Sequence, residues 1–122
     1  MEKIQEGQPF TIFVECADTP AQLEKAFRHI KKMLPKGSRL FGVFGRNYYK
    51  KELAEKLRRI SERYCDHLYF TPCSASDESR RVVFETAFRK ADFSDFVLVL
   101  GSRNDGAVRD AARQVAYELD LY

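Results

Sequence analysis

Glu15, Cys16 and Asp18 fall close together in Glu15-Cys16-Ala17-Asp18-Thr19-Pro20, a run that joins a β-rich stretch to a helical one. Two carboxylates so placed are the nearest approach in the chain to a general acid/base pair. Asp18 also has a plainer duty. An anion beside the positive end of a helix starting at Pro20 is worth about 0.3–1 kcal/mol to the fold. A thiol becomes a nucleophile only beside a base. The pattern puts His29 inside the first helix and His67 at the start of a strand at the opposite edge, so neither serves Cys16 or Cys73. Three more polar runs hold the remaining candidates: Arg46-Asn47-Tyr48-Tyr49-Lys50-Lys51, Cys73-Ser74-Ala75-Ser76 and Ser102-Arg103-Asn104-Asp105. On one shared edge, Arg46, Lys50, Lys51 and Arg103 form either a solvated cationic rim or a site for phosphate or carboxylate. Tyr48 and Tyr49, next to Arg46, are suited to stacking on a base or to a protein contact.

These runs sit on one edge only if the intervening elements put them there. Phe10-Thr11-Ile12-Phe13-Val14 is β-branched and aromatic and reads as a strand. Thr19 is a good N-cap, Pro20 suits the first helical position, and Gln22 completes a T-x-x-Q capping box. Leu23, Ala26, Phe27, Ile30 and Leu34 recur at helical spacing until Pro35 and Gly37 stop the helix. The unit then repeats. Leu40 to Phe44 is a strand before a helix from about Lys50 to Tyr64, and His67 to Thr71 is a strand before a helix capped within Ser74 to Asp77. Phe96 to Leu100, apolar at every residue, is the strand expected at the centre, covered on both faces. Val108, Ala111, Ala112, Val115, Ala116 and Leu119 stripe a last helix. About four strands alternating with helices predict an α/β, three-layer Rossmann-like sandwich on a mainly parallel sheet. In such a fold ligands gather outside the carboxyl ends of the strands, so loops 15–19, 45–49, 72–77 and 101–106 should share the functional edge.

The bulk composition limits the possibilities. The chain has 122 residues, enough for one domain, here 1–122 with residues 1–8 as leader or linker. A net charge of +3, from interspersed basic and acidic residues, gives no basic arm, so nucleic acid is not an expected partner. The longest apolar run is too short to span a bilayer, and no apolar segment follows Glu2 and Lys3, so a cytoplasmic protein with no membrane partner is expected. Cys16, Cys65 and Cys73 lack C-x-x-C spacing and are read as thiols. Cys65-Asp66-His67 points in divergent directions at a helix-to-strand turn, which argues against a metal site.

Pro9-Phe10-Thr11-Ile12-Phe13-Val14-Glu15-Cys16-Ala17-Asp18-Thr19-Pro20, followed by Leu23-Glu24, resembles the start of the C-terminal domain of Mur ligases, most of all the UDP-N-acetylmuramyl tripeptide synthetases, which reads P-F-x-x-x-V-D-Y-A-H-T-P. Val43-Phe44-Gly45, Thr71 and Val97 to Gly101 resemble the strand ends that lead into the family's G-G-D-R-D, D-N-P-R and G-K-G-H-E loops. The resemblance implies ATP-dependent amide synthesis on peptidoglycan precursors, with nucleotide and amino-acid contacts along this edge.

Each departure falls on a position the family uses. Glu15 and Asp18 replace the motif's Asp and His, which puts an anion where phosphate charge would lie. Arg46-Asn47-Tyr48-Tyr49, Cys73-Ser74-Ala75-Ser76 and Gly101-Ser102-Arg103-Asn104-Asp105 replace the other three motifs. No Gly-Lys dipeptide occurs, so these residues hold no P-loop. The expectation is a pseudoenzyme-like module with no catalytic residues, metal or cofactor of its own, ATP and Mg²⁺ entering only with a separate ATPase domain. Its partner would be a protein, the missing ligase domains or a second copy. The candidate edge residues are Glu15, Asp18, Thr19, Arg46, Asn47, Tyr48, Lys50, Ser74, Arg103 and Asn104.

Overall fold

The computed structural model describes residues 1–45, 51–71, 77–101 and 106–120. In chain order the elements are β1 (Glu2–Ile4), β2 (Thr11–Cys16), α1 (Pro20–Met33), β3 (Leu40–Phe44), α2 (Lys51–Tyr64), β4 (His67–Phe70), α3 (Asp77–Lys90), β5 (Phe96–Gly101) and α4 (Gly106–Asp120). The sheet order is β1-β2-β5-β3-β4. β2, β5, β3 and β4 run parallel, and β1 closes one edge antiparallel to β2.

Alternation within the strands divides the core in two. Leu40, Phe44, Phe96, Leu98 and Leu100 face Leu23, Phe27 and Ile30 of α1 and Leu57 and Ile60 of α2. Ile12, Phe41, Val43, Val97 and Val99 face Phe84 and Phe88 of α3 and Val108, Ala112 and Val115 of α4. Two helices on each face make three layers, with β5 buried at every residue in the middle. The expected class and the central place of this strand are therefore what the fold contains. Connections from β2 and β3 run in one direction along the sheet over one face, and the connection from β4 runs back over the other, as right-handed crossovers require.

Two features differ from the sequence expectation. Residues 2–4, expected within a leader, form a fifth strand. Ile4 is fully buried, Glu2 pairs with Arg113 at 3.4 Å and Arg109 at 3.7 Å, and Gln8 closes the following turn through Ile4 O at 2.7 Å. Two charged residues and one apolar residue are too short a signal to read as a strand without the neighbour that pairs with them. Second, β2 runs on through Glu15 and Cys16, which were expected in the loop. These two pair with Leu100 and Gly101 of β5, whose hydrogen bonds hold a polar end in strand geometry.

Close packing of β3 against β4 and the turn that follows α2 depends on Gly42. A Cβ there would lie 2.8 Å from both Cys65 Sγ and Leu68 Cδ2. At the amino ends of the strands, Asp95 ties the layers together. Its carboxylate accepts from Arg39 N at 3.0 Å, Arg39 Nη2 at 2.8 Å and Asp92 N at 2.9 Å.

Candidate functional site

The carboxyl ends of β2, β5, β3 and β4 form one edge because the four strands are parallel. Helices after β2 and β3 leave to one face and those after β4 and β5 to the other. Gly101 thus lies where neighbouring connections diverge, the arrangement that opens a crevice in such folds. Its floor is closed by Val108 in the first turn of α4: a Cβ on Gly45 would come within 2.6 Å of Val108 Cγ1, and one on Gly101 within 3.3 Å.

Much of the polar chemistry on this edge maintains the fold. Thr19 Oγ1 accepts from Gln22 N at 3.2 Å, as the predicted cap requires, while Gln22 Oε1 reaches back to Asp18 N at 2.9 Å, one residue before the N-cap N–H that a capping box would use. Thr71, which resembles a ligase strand end, is buried, and its hydroxyl donates to Phe44 O at 2.6 Å. Ala17 N and Gly45 N donate to Gly101 O and Leu100 O at 3.1 and 2.8 Å.

Glu15 and Asp18 lie together on an open depression of ≈ 550 Å³, whose other walls include Cys16, Lys25, Ala26 and His29. Met1, ahead of β1, and Gln22 of α1 complete its lining. His29 is in α1 as expected, yet its helical phase brings it to the same depression as Cys16, which sequence position did not reveal. Helical spacing would have shown it, since Gln22, Lys25, Ala26 and His29 fall at i, i+3, i+4 and i+7 on one face. A second shallow depression, between the starts of α1 and α2, is lined by Pro20, Lys51, Glu52, Leu53 and Lys56. Of the predicted edge residues, Glu15, Asp18 and Thr19 are brought together. Arg46, Asn47, Tyr48, Lys50, Ser74, Arg103 and Asn104, with Tyr49 and Cys73, lie outside the described residues.

Displaced titrations occur away from this edge. Burial pushes the Cys65 thiol up to about 12. Burial also acts to raise the Asp95 carboxyl, but hydrogen bonds from Asp92 and Arg39 outweigh it and hold the group below its ordinary value. Asp66 accepts from Leu40 N at 2.8 Å, and His67 packs on Phe41 at 4.9 Å, so Cys65, Asp66 and His67 have separate structural duties.

No protein-family model matches the chain. It is 29% identical, over 137 aligned residues, to a UDP-N-acetylmuramyl-tripeptide synthetase from Roseiflexus sp. (strain RS-1), a match covering 88% of the chain and 26% of that protein. A UDP-N-acetylmuramoyl-L-alanyl-D-glutamate--2,6-diaminopimelate ligase superposes on 93% of the chain with a TM-score of 0.68 at 16% identity, 31% of that structure being covered. The chain has the fold of Mur ligase domains. A single domain from Haemophilus ducreyi 35000HP, assigned to a UDP-N-acetylmuramate:L-alanyl-gamma-D-glutamyl-medo-diaminopimelate ligase, agrees in fold. That match covers 88% of the present domain and 92% of the other, with a TM-score of 0.56 at 11% identity. The domain thus spans about a quarter of the curated relative's length. The alignment is longer than the domain's own 122 residues, so the relative carries extra residues inside the match. No helix among the described residues is long and apolar enough to cross a membrane.

Proposed function

We propose that this Mur ligase C-terminal-like domain is a binding or docking module, non-catalytic by itself, whose carboxyl edge meets a partner domain or an anionic, nucleotide-like ligand. The observation that carries this reading is the use of the first loop. Thr19 and Gln22 are spent on the helix cap, Glu15 is half-buried and paired with the Met1 ammonium at 3.7 Å, and together with Asp18 it sets two carboxylates beside a thiol. Anions repel a phosphate at that position. An anionic ligand would have to be held by other candidate residues, for which the sequence offers Arg46, Lys50 and Arg103. Open depressions with mixed charge suit a protein surface better than they suit an enclosed small-molecule pocket.

A second reading is favoured by the match to a quarter of a longer synthetase. In it, the domain is the substrate- and ATP-positioning part of an ATP-dependent amide ligase whose ATPase domain lies elsewhere. Thermal denaturation with and without ATP–Mg²⁺, and with UDP-N-acetylmuramyl peptides, separates the two. Docking of a partner domain expects no specific rise in Tm with ATP–Mg²⁺ or the peptides, and a rise with ATP–Mg²⁺ alone marks the anionic-ligand form of the same reading. A saturable rise with both would overturn it in favour of the ligase reading.

A further inference from the structure

The two edges of the sheet are finished differently. β1 carries Glu2 and Lys3, and its Glu2 is ion-paired to α4. β4, His67-Leu68-Tyr69-Phe70, carries no Lys, Asp, Glu or Pro, and no strand among the described residues pairs with its outer side. Natural edge strands are usually blunted by such residues, and an edge without them offers backbone donors and acceptors to a further strand. Phe70 is 40% exposed there.

α2 flanks this edge. Arg58 lies over the Phe70 ring, 5.0 Å from its centroid, which fixes the flank of the helix that looks along β4. At helical spacing that flank carries Lys51, Glu55, Arg58 and Glu62, all exposed and alternating in sign. Arg58 and Glu62 pair within the helix at 3.3 Å. The stripe is antisymmetric about its middle. Laid antiparallel against a copy of itself, Lys51 meets Glu62 and Glu55 meets Arg58, so every contact joins opposite charges. A two-fold axis perpendicular to the sheet makes both α2 helices and both β4 strands antiparallel at once, the self-complementary arrangement of an isologous interface.

We propose that a second copy of this chain docks on the β4 edge, joining the two sheets into one through β4–β4 pairing, with the α2 stripes matched by charge. Sedimentation equilibrium of the full chain, from low to high micromolar concentration, is expected to show a mass rising from 14.2 kDa toward twice that value. Arg58→Glu and Glu55→Arg each set like charges opposite one another, and each should weaken the dimer at least about tenfold. The double variant E55R/R58E restores opposite charges and should recover the dimer. The stripe is exposed, so the variants should keep the wild-type far-UV spectrum. A variant that loses it is replaced by K51E, E62K and their double, which test the other pair in the same way. A wild-type chain that stays monomeric throughout overturns the proposal, as does a dimer indifferent to the single reversals or a double variant no better than they are.

Discussion

At the scale of single residues, the groups with displaced titration belong to the fold. Asp95 is 4% exposed and accepts several hydrogen bonds from Arg39 and Asp92. Asp95→Ala leaves these donors without their charged acceptor and should cost about 2–3 kcal/mol in chemical denaturation. Because the native carboxyl titrates below its ordinary value, its contribution is complete above the unfolded value of about 3.9 and is lost as pH falls through the lower native value. The wild-type Tm should therefore fall more steeply in acid than that of Asp95→Asn. Cys65 is held as a thiol by burial, whereas Cys16 is exposed. With a thiol reagent at mildly alkaline pH and peptide mapping by mass spectrometry, Cys16 should be modified in the native protein and Cys65 only after unfolding.

At the scale of elements, α1 shows how a local rule becomes structure. The Thr19 hydroxyl satisfies Gln22 N, and the Gln22 amide satisfies Asp18 N, so Thr19→Ala should destabilise the domain by about 1 kcal/mol in a urea titration. This element was readable because all its signals are local: cap, Pro20, apolar spacing and Pro35. The limit of β2 was not. Glu15 and Cys16 are polar and read as loop, and only pairing with Leu100 and Gly101 extends the strand through them. α3 is outwardly less regular, with Val82 exposed at 58%. Its position is set by Phe84, Ala87 and Phe88 in the core and by the Arg81–Glu118 ion pair with α4.

At the scale of the whole molecule, the antiparallel edge strand completes the sheet beyond the four parallel strands. Ile4 is wholly buried within the α3 and α4 face of the core, so Ile4→Ala should cost about 2–4 kcal/mol by equilibrium denaturation, a loss no leader or linker residue would produce. The four strand-helix units, the central place of Phe96 to Leu100, the cap on α1 and the resemblance carried by Pro9, Phe10, Thr19 and Pro20 were legible in the residue order, because hydrophobic period and capping are properties of neighbouring residues. Tertiary structure alone decided that residues 2–4 make a strand, that Gly42 admits Cys65 and Leu68, that Thr71 locks a strand end, and that His29 shares a depression with Cys16. Each of these depends on a partner distant in the chain, and no local pattern of residues records which partner that will be.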